Sequence, residues 1–431
     1  MRRDQPDRQR RYFIATSLAA LLAKSAFAFT PPRAVRGGAT AVKSRTQVDG
    51  ILFYGQSNAG AGGSAKAVLT APVFPDTTFA FRGAQQTYGA TLVDVKRLQG
   101  LGQVQDRDAY APFPATAMAY ALGRNNSSLG RRHFMHTVWY GGQPLAAFQK
   151  GSAAWLDLVA VARRMREALL DEAMDARIAA LVLIQGESGP PGREVYARAL
   201  TKLLDETLPE LRNQTGQAAP PLAILLQTNA SNIQQASAKD VALAQWDVAR
   251  ARSHDTTLAG PMYQFPLNDA VHQSAIGRMM LGDLLALAYQ ARVERGETFE
   301  PLHPTSARLD SNVIRIAFKR PAESQPLQWD RSWMPAVPNF GFSVNGPNGA
   351  VEIASVEITG PSDIAIHLAG KNDSRILTVR YAMEQPPEKG WAPGRGQLMA
   401  PTARRSAFAD LKAGAPEFIS HYCIRFEITA Q

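Results

Sequence analysis

The chain has 431 residues, of which 45% are apolar and 19% charged, an ordinary soluble composition that excludes a disordered chain and leaves room for two domains. Its formal charge of +10 is inflated by the first 28 residues, where Arg2, Arg3, Arg8, Arg10, Arg11 and Lys24 face only Asp4 and Asp7. No long basic run is interleaved with aromatics, so no nucleic-acid partner is expected, and the single cysteine, Cys423, excludes an internal disulfide.

In chain order, residues 1–28 read as an export signal. Arg10-Arg11-Tyr12-Phe13-Ile14 leads into a short apolar stretch and a small-x-small site, Ala26-Phe27-Ala28. The paired arginines resemble the twin-arginine type, so the expectation is a periplasmic or secreted protein. The apolar stretch is too short to span a bilayer, which takes about 20 residues, so no integral membrane span is expected.

Residues 29–45 form a Pro/Gly/basic linker. From 46 to 295 strand-like runs at 51–54, 134–140, 178–184, 222–227 and 257–263 alternate with helical spacing, clearest at 153–174 and 276–288. This alternation predicts an α/β domain with a parallel sheet covered by helices. Residues 296–310 read as a second linker. Beyond it, 311–431 carries period-two runs at 314–318, 351–358, 364–368, 376–381 and 422–429, separated by turn signals such as Asn345-Gly346. They predict a small antiparallel β domain of the sandwich kind.

Chemistry-bearing residues follow four of the α/β strands, and ligands of open parallel sheets bind outside the strands' carboxyl ends. The blocks are Gly55-Gln56-Ser57-Asn58, Gly141-Gly142-Gln143, Gln185-Gly186-Glu187-Ser188 and Asp269-Ala270-Val271-His272. Together they can perform acyl transfer. Ser57 needs a base, His272 can be that base, and Asp269 can hold its ring. The Ser57 and Gly142 amides and the Gln185 side chain would supply oxyanion donors, with Gly141 as an alternative to Gly142. Glu187 reads as a partner that fixes a loop. The glycines after Ser57 read as room for an acyl group or a sugar to approach.

These four blocks, in this order, resemble those of SGNH-type hydrolases, and more narrowly the sialate O-acetylesterase and acetylxylan-esterase-like branch. Gln56 and Asn58 select that branch, as does Gln185-Gly186-Glu187-Ser188. The resemblance covers about residues 50–290. It implies a three-layer α/β/α flavodoxin-like fold, Ser57 as nucleophile, His272 as base, Asp269 as its partner, and deacetylation of an O-acetylated sugar without a cofactor. Ala59, Gln143 and Gly189-Pro190-Pro191 depart from the branch's usual residues at positions that border the substrate.

Other readings fit less well. Gly60-Ala61-Gly62-Gly63-Ser64-Ala65 matches a dinucleotide fingerprint, but five residues separate it from Tyr54 and prolines interrupt the space for its helix. Gly186-Glu187-Ser188-Gly189-Pro190 echoes trypsin-like proteases without their double β-barrel. His133 and His136 point to opposite faces of one strand, so no metal is expected. Tyr54, Trp139, Tyr140, Phe148, Trp155 and Tyr263 lie near the motif loops but read as core. The alternatives kept are a non-catalytic carbohydrate-binding protein and a lipase or thioesterase of the wider SGNH group. The particular sugar and the oligomeric state are not legible.

Overall fold

The computed structural model describes residues 45–431, apart from 61, 64–65, 83–85, 89–97, 99, 107–112, 127–129, 189–191, 230–237, 371–375, 385, 387 and 412–413. The export signal, nearly all of the first linker, and Gly189-Pro190-Pro191 lie outside the described residues. Arg45–Gln431 forms one compact unit.

The first half builds an eight-stranded sheet from β1 (Thr46–Gly55), β2 (Thr78–Phe81), β3 (Gln86–Tyr88), β4 (Leu101–Gln103), β5 (Arg132–Trp139), β6 (Met174–Ile184), β7 (Leu222–Gln227) and β8 (Thr256–Pro261). The order is β4-β2-β5-β1-β6-β7-β8, with β3 beside β5. Every pairing is parallel except β2 with β4. Among the described residues, five α-helices flank this sheet: α1 (Pro114–Asn126), α2 (Ala153–Asp171), α3 (Arg193–Thr215), α4 (Ala238–Ala251) and, after β8, α5 (Ala275–Tyr289).

Alternation along β1 decides the layers, because successive side chains of a strand leave opposite faces. Ile51 and Phe53 enter one core with α1 and α5. Val48, Leu52 and Tyr54 enter the other with α2, α3 and α4. Burying a large apolar side chain contributes about 1.5–3 kcal/mol, so a strand buried on both faces anchors the domain. The result is the α/β/α arrangement expected.

The helix boundaries follow local chemistry. Ser152 Oγ accepts from Trp155 N and Ser274 Oγ from Gly277 N, capping α2 and α5. Gly216, at φ 73°, ends α3 in the left-handed conformation that glycine tolerates best. The run expected at 257–263 is cut at Pro261, and Met262–Gln264 turns as a 3-10 segment instead. The short strands β2, β3 and β4 were not expected, and three or four residues are too few to establish a period.

The second half forms three antiparallel sheets. Ile353–Gly360, Asp363–Leu368, Val313–Lys319 and His303–Asp310 make the first. Gly349–Val351, Phe342–Gly346, Leu377–Tyr381 and Phe426–Ala430 make the second. Gln328–Trp329, Leu398–Arg405 and Phe418–Tyr422 make the third. Two expectations change here. The stretch read as a linker, 296–310, contains the strand His303–Asp310, whose pairing with Val313–Lys319 recruits it.

The run 422–429 is also not one strand. It breaks at Cys423-Ile424-Arg425, because the Cys423 carbonyl and the Ile424 and Arg425 amides bond outside the sheets, although Cys423 N still bonds the neighbouring strand. Cys423 N donates to Leu398 O and Ile424 N to Leu302 O. Arg425 N donates to Gln227 Oε1, while Tyr263 Oη donates to Cys423 O at 2.5 Å.

Arg425 clamps the two halves together. Its fully buried guanidinium donates to the carbonyls of Ala382, Pro393 and Gly394 on one side and of Thr228 and Asn229 on the other. Burial pulls its pKa down to about 10.

A second seam contact joins α5 to the β region. Asp283, 3% exposed, accepts from Ser406 Oγ at 2.6 Å and from Ala407 N at 3.1 Å. Burial raises its pKa to about 6, against the lowering effect of those two bonds and of Arg404. Because the folded state holds this proton more tightly than the unfolded chain, stability is expected to fall as pH rises from about 3.8 to about 6, by about 3 kcal/mol in all. Asp283→Asn should flatten that stretch of the curve. Urea unfolding at pH 3.5, 5 and 7 checks it, and parallel wild-type and variant profiles would refute it.

Among the described residues, no helix is long and apolar enough to cross a membrane.

Candidate active site

The sheet order explains why three of the four blocks meet. β1 lies between β5 and β6, so the turns after Gly55, Trp139 and Ile184 emerge side by side. This is where the strand order reverses, the usual ligand crevice of an open parallel sheet. The fourth block starts farther away, since β8 is two strands beyond β6. The chain covers that distance by returning over the face that α5 shares with α1. A bridge between Leu267 and Gln273 then closes a short loop around Asp269 and His272.

The loop brings His272 Nε2 to 2.9 Å from Ser57 Oγ, and His272 Nδ1 to 2.8 Å from Asp269 Oδ2. Asp269 Oδ1 also accepts from the Val271 and His272 amides, both at 2.8 Å. Partial burial alone would raise the Asp269 pKa, but these bonds outweigh it and hold the carboxyl below its usual value. Asp269 is therefore an anion whose position is set by its own loop. A hydroxyl bonded to an imidazole that a carboxylate orients is the arrangement used for nucleophilic acyl transfer.

The amides around Ser57 interlock the blocks. Gln56 N donates to Ile184 O, and Gln56 Oε1 accepts from Gly186 N and Ser188 N, both at 3.3 Å. Asn58 Nδ2 donates to Glu187 Oε1 at 2.8 Å and to Val271 O at 3.2 Å. Asn58 thus ties the serine turn to both the Glu187 turn and the histidine loop. Burial pushes the Glu187 carboxyl above its usual pKa, opposed by the Asn58 bond.

Gln185 is oriented by its neighbours. Its Oε1 accepts from Tyr196 Oη at 2.7 Å, so its Nε2 faces the other way and donates to Gln143 O at 3.3 Å. That places the Gln185 amide group beside the Gly141-Gly142-Gln143 turn. Gly142 has φ 67° with open space where a Cβ would stand, so conformation rather than crowding calls for glycine.

The glycines after Ser57 are not open room. A Cβ on Gly62 would stand 2.3 Å from Ser57 Cβ and 2.9 Å from His272 Cδ2. One on Gly63, at φ 75°, would stand 2.6 Å from His272 Cβ, and one on Gly60 would meet the Trp139 ring at 2.4 Å. Gly62 N donates to Ser57 O, and the buried Arg278 donates through Nη2 to Gly62 O. The loop is therefore folded back against Ser57 and His272. Sequence reasoning missed this packing, along with the supporting roles of Arg278, of Tyr196, and of Gln245, whose Nε2 donates to Gln185 O at 2.7 Å. One signal was available: α5 carries Arg278 and Asp283 in an otherwise apolar stretch, and both are buried.

The aromatics near the motifs lie in the core. Tyr54, Phe148 and Tyr263 are fully buried, Trp139 and Trp155 are nearly so, and Tyr140 is half-buried. His136 bonds Thr87 within the sheet. Among the described residues, no group of three or more His, Cys, Asp or Glu is placed to hold a metal.

The fold and site define an α/β/α protein with a serine–histidine–aspartate array at the carboxyl edge of its sheet. Among solved structures, this fold is similar to that of XAC1771, a carbohydrate acetylesterase from Xanthomonas citri. The TM-score is 0.53 at 16% identity, over 88% of this chain and 80% of that one. Est24, a carbohydrate acetylesterase from Sinorhizobium meliloti, aligns at TM-score 0.33 and 15% identity over 56% of this chain and 99% of that one. NanS aligns at TM-score 0.42 and 12% identity over 59% and 99%. The likeness of fold rests on the first of these. No family model matches the chain, and no curated protein matches its sequence.

Proposed function

We propose that this chain is an exported serine esterase that removes O-acetyl groups from a carbohydrate through an acetyl-Ser57 intermediate. The observation that carries the reading is the unbroken hydrogen-bonded line from Ser57 Oγ through the His272 ring to Asp269. The blocks resembling the acetylesterase branch of the SGNH hydrolases support acetyl as the acyl group. So does the fold likeness to a protein described as a carbohydrate acetylesterase.

In this mechanism His272 Nε2 takes the Ser57 proton as Oγ attacks the acetyl carbonyl. The oxyanion is met by the Ser57 amide, the amide of Gly142 or Gly141, and Gln185 Nε2. Collapse breaks the bond to the sugar oxygen, which receives the proton from His272. His272 then deprotonates a water, whose attack on the acetyl-serine releases acetate and restores Ser57. Asp269 stabilises the imidazolium in both halves.

Acetate release from 4-nitrophenyl acetate and from acetylated sugars tests the reading, with butyrate and octanoate esters as competitors. Turnover should be greatest with acetate. Preference for the longer chains would favour a lipase, and no turnover of any ester would favour a binding protein. Fractionating the producing cells tests the export half, which requires the activity to lie outside the cytoplasm.

A further inference from the structure

The β region reaches the histidine loop through one turn. Leu267 N, at the mouth of the loop holding Asp269 and His272, donates to Gly390 O at 2.7 Å. The next residue is Trp391. Its turn is braced by a bridge between Glu388 and Trp391, by an Arg395–Glu388 ion pair at 2.5 Å, and by Arg395 Nη1 donating to Pro386 O at 2.9 Å.

The Trp391 ring meets Trp333 edge-on, with centroids 5.8 Å apart and planes at 84°. Trp333 is fixed as well. Its Nε1 donates to Gln264 O at 3.1 Å and its amide to Asp330 Oδ1 at 2.8 Å. Both rings are half-buried, while the flanking Glu388 and Lys389 are exposed. By contrast, Tyr54, Phe148 and Tyr263 have no exposed face to offer, and the half-buried Tyr140 is held through its hydroxyl by Asp157.

We propose that Trp391, backed by Trp333, is a stacking subsite for a second sugar ring, so that the substrate is a glycan chain rather than a free acetylated monosaccharide. A pyranose ring has an apolar face that suits a rigid indole and hydroxyls that suit Glu388 and Lys389. Trp391 follows Gly390, whose carbonyl bonds Leu267 N, and Leu267 bridges Gln273, the neighbour of His272, so the tryptophan borders the histidine loop rather than the serine turn. In this proposal the ring stacked on Trp391 is a different unit from the one presenting its acetyl group to Ser57. Two tryptophans locked by main-chain contacts lose little freedom on binding, which favours affinity.

The inference rests on the esterase reading, and its test separates the two. Acetylated oligosaccharides of xylan, glucomannan and pectin are compared with their acetylated monosaccharides and with 4-nitrophenyl acetate. Wild type should favour at least one chain over its monosaccharide. In Trp391→Ala, the ratio of kcat/KM for that chain to that for 4-nitrophenyl acetate should fall about tenfold or more, carried by KM, with partial recovery in Trp391→Phe.

An unchanged ratio would overturn the subsite, whether both activities fall together or neither does. So would the absence of any preference for a chain. Calorimetry of the same chains with Ser57→Ala protein, with and without Trp391→Ala, reads binding without turnover. Loss of affinity there upholds the subsite even if no ester is hydrolysed, and equal affinity removes it.

Discussion

Ser57→Ala is expected to lower esterase kcat by about 10⁴-fold or more while leaving the fold intact. Removing one member of a serine–histidine–aspartate set typically costs that much, and what persists reflects oxyanion stabilisation and binding. The substitution deletes one hydroxyl whose bond goes to His272 Nε2. Ser57 lies at a turn and supports no helix or strand, so the unfolding midpoint should move little. Acetate release and thermal unfolding of the same preparation check both halves. A well-folded variant that turns over normally would exclude acetyl-Ser57 as an intermediate. Asp269→Asn should also be severe, because its carboxylate bonds both the His272 ring and the His272 amide.

Gly62→Ala is the second large effect, expected to reduce kcat/KM by about 100-fold, chiefly through kcat. The added methyl would overlap Ser57 Cβ, the Ser57 carbonyl at 2.6 Å and the His272 ring. Something must shift, and the nearest atoms are those whose alignment governs the proton transfer. Misplacing reacting groups by about 1 Å can cost about 10²-fold. Gly151→Ala is the comparison. Gly151, at φ 86°, has nothing near its would-be Cβ, so that change strains only its own backbone. It should lower stability slightly and leave turnover near wild type. Full activity in Gly62→Ala would show that the loop yields at no cost and is not a wall of the site.

Much of the site was legible because three of the four blocks sit at the end of a strand with a strong apolar signal. Residues 51–54, 134–140 and 178–184 read as strands, and parallel pairing then puts Ser57, Gly142 and Gln185 at one edge. Asp269 and His272 were legible as a pair because three residues separate them in one tight loop. The loop's reach back to Ser57 was not, since it depends on α5 sharing a face of the sheet with α1. The final strand was misread because Tyr422, Ile424, Phe426 and Ile428 alternate faultlessly. Alternation says nothing about which partner each backbone group finds.

The layered α/β class, the ends of the strands that carry Ser57 and Gln185, and the residue types able to carry acyl transfer can be read from the chain alone. These follow from hydrophobic period and from side-chain chemistry, both local properties. That Gly60, Gly62 and Gly63 are pressed against Trp139, Ser57 and His272, rather than open to substrate, emerges only once the chain is folded. The same holds for the bond by which Tyr196 turns the Gln185 amide, and for the place of Trp391 beside the histidine loop. Each of these is a contact between residues far apart in the chain, set by how the layers close on one another, and no local pattern encodes that.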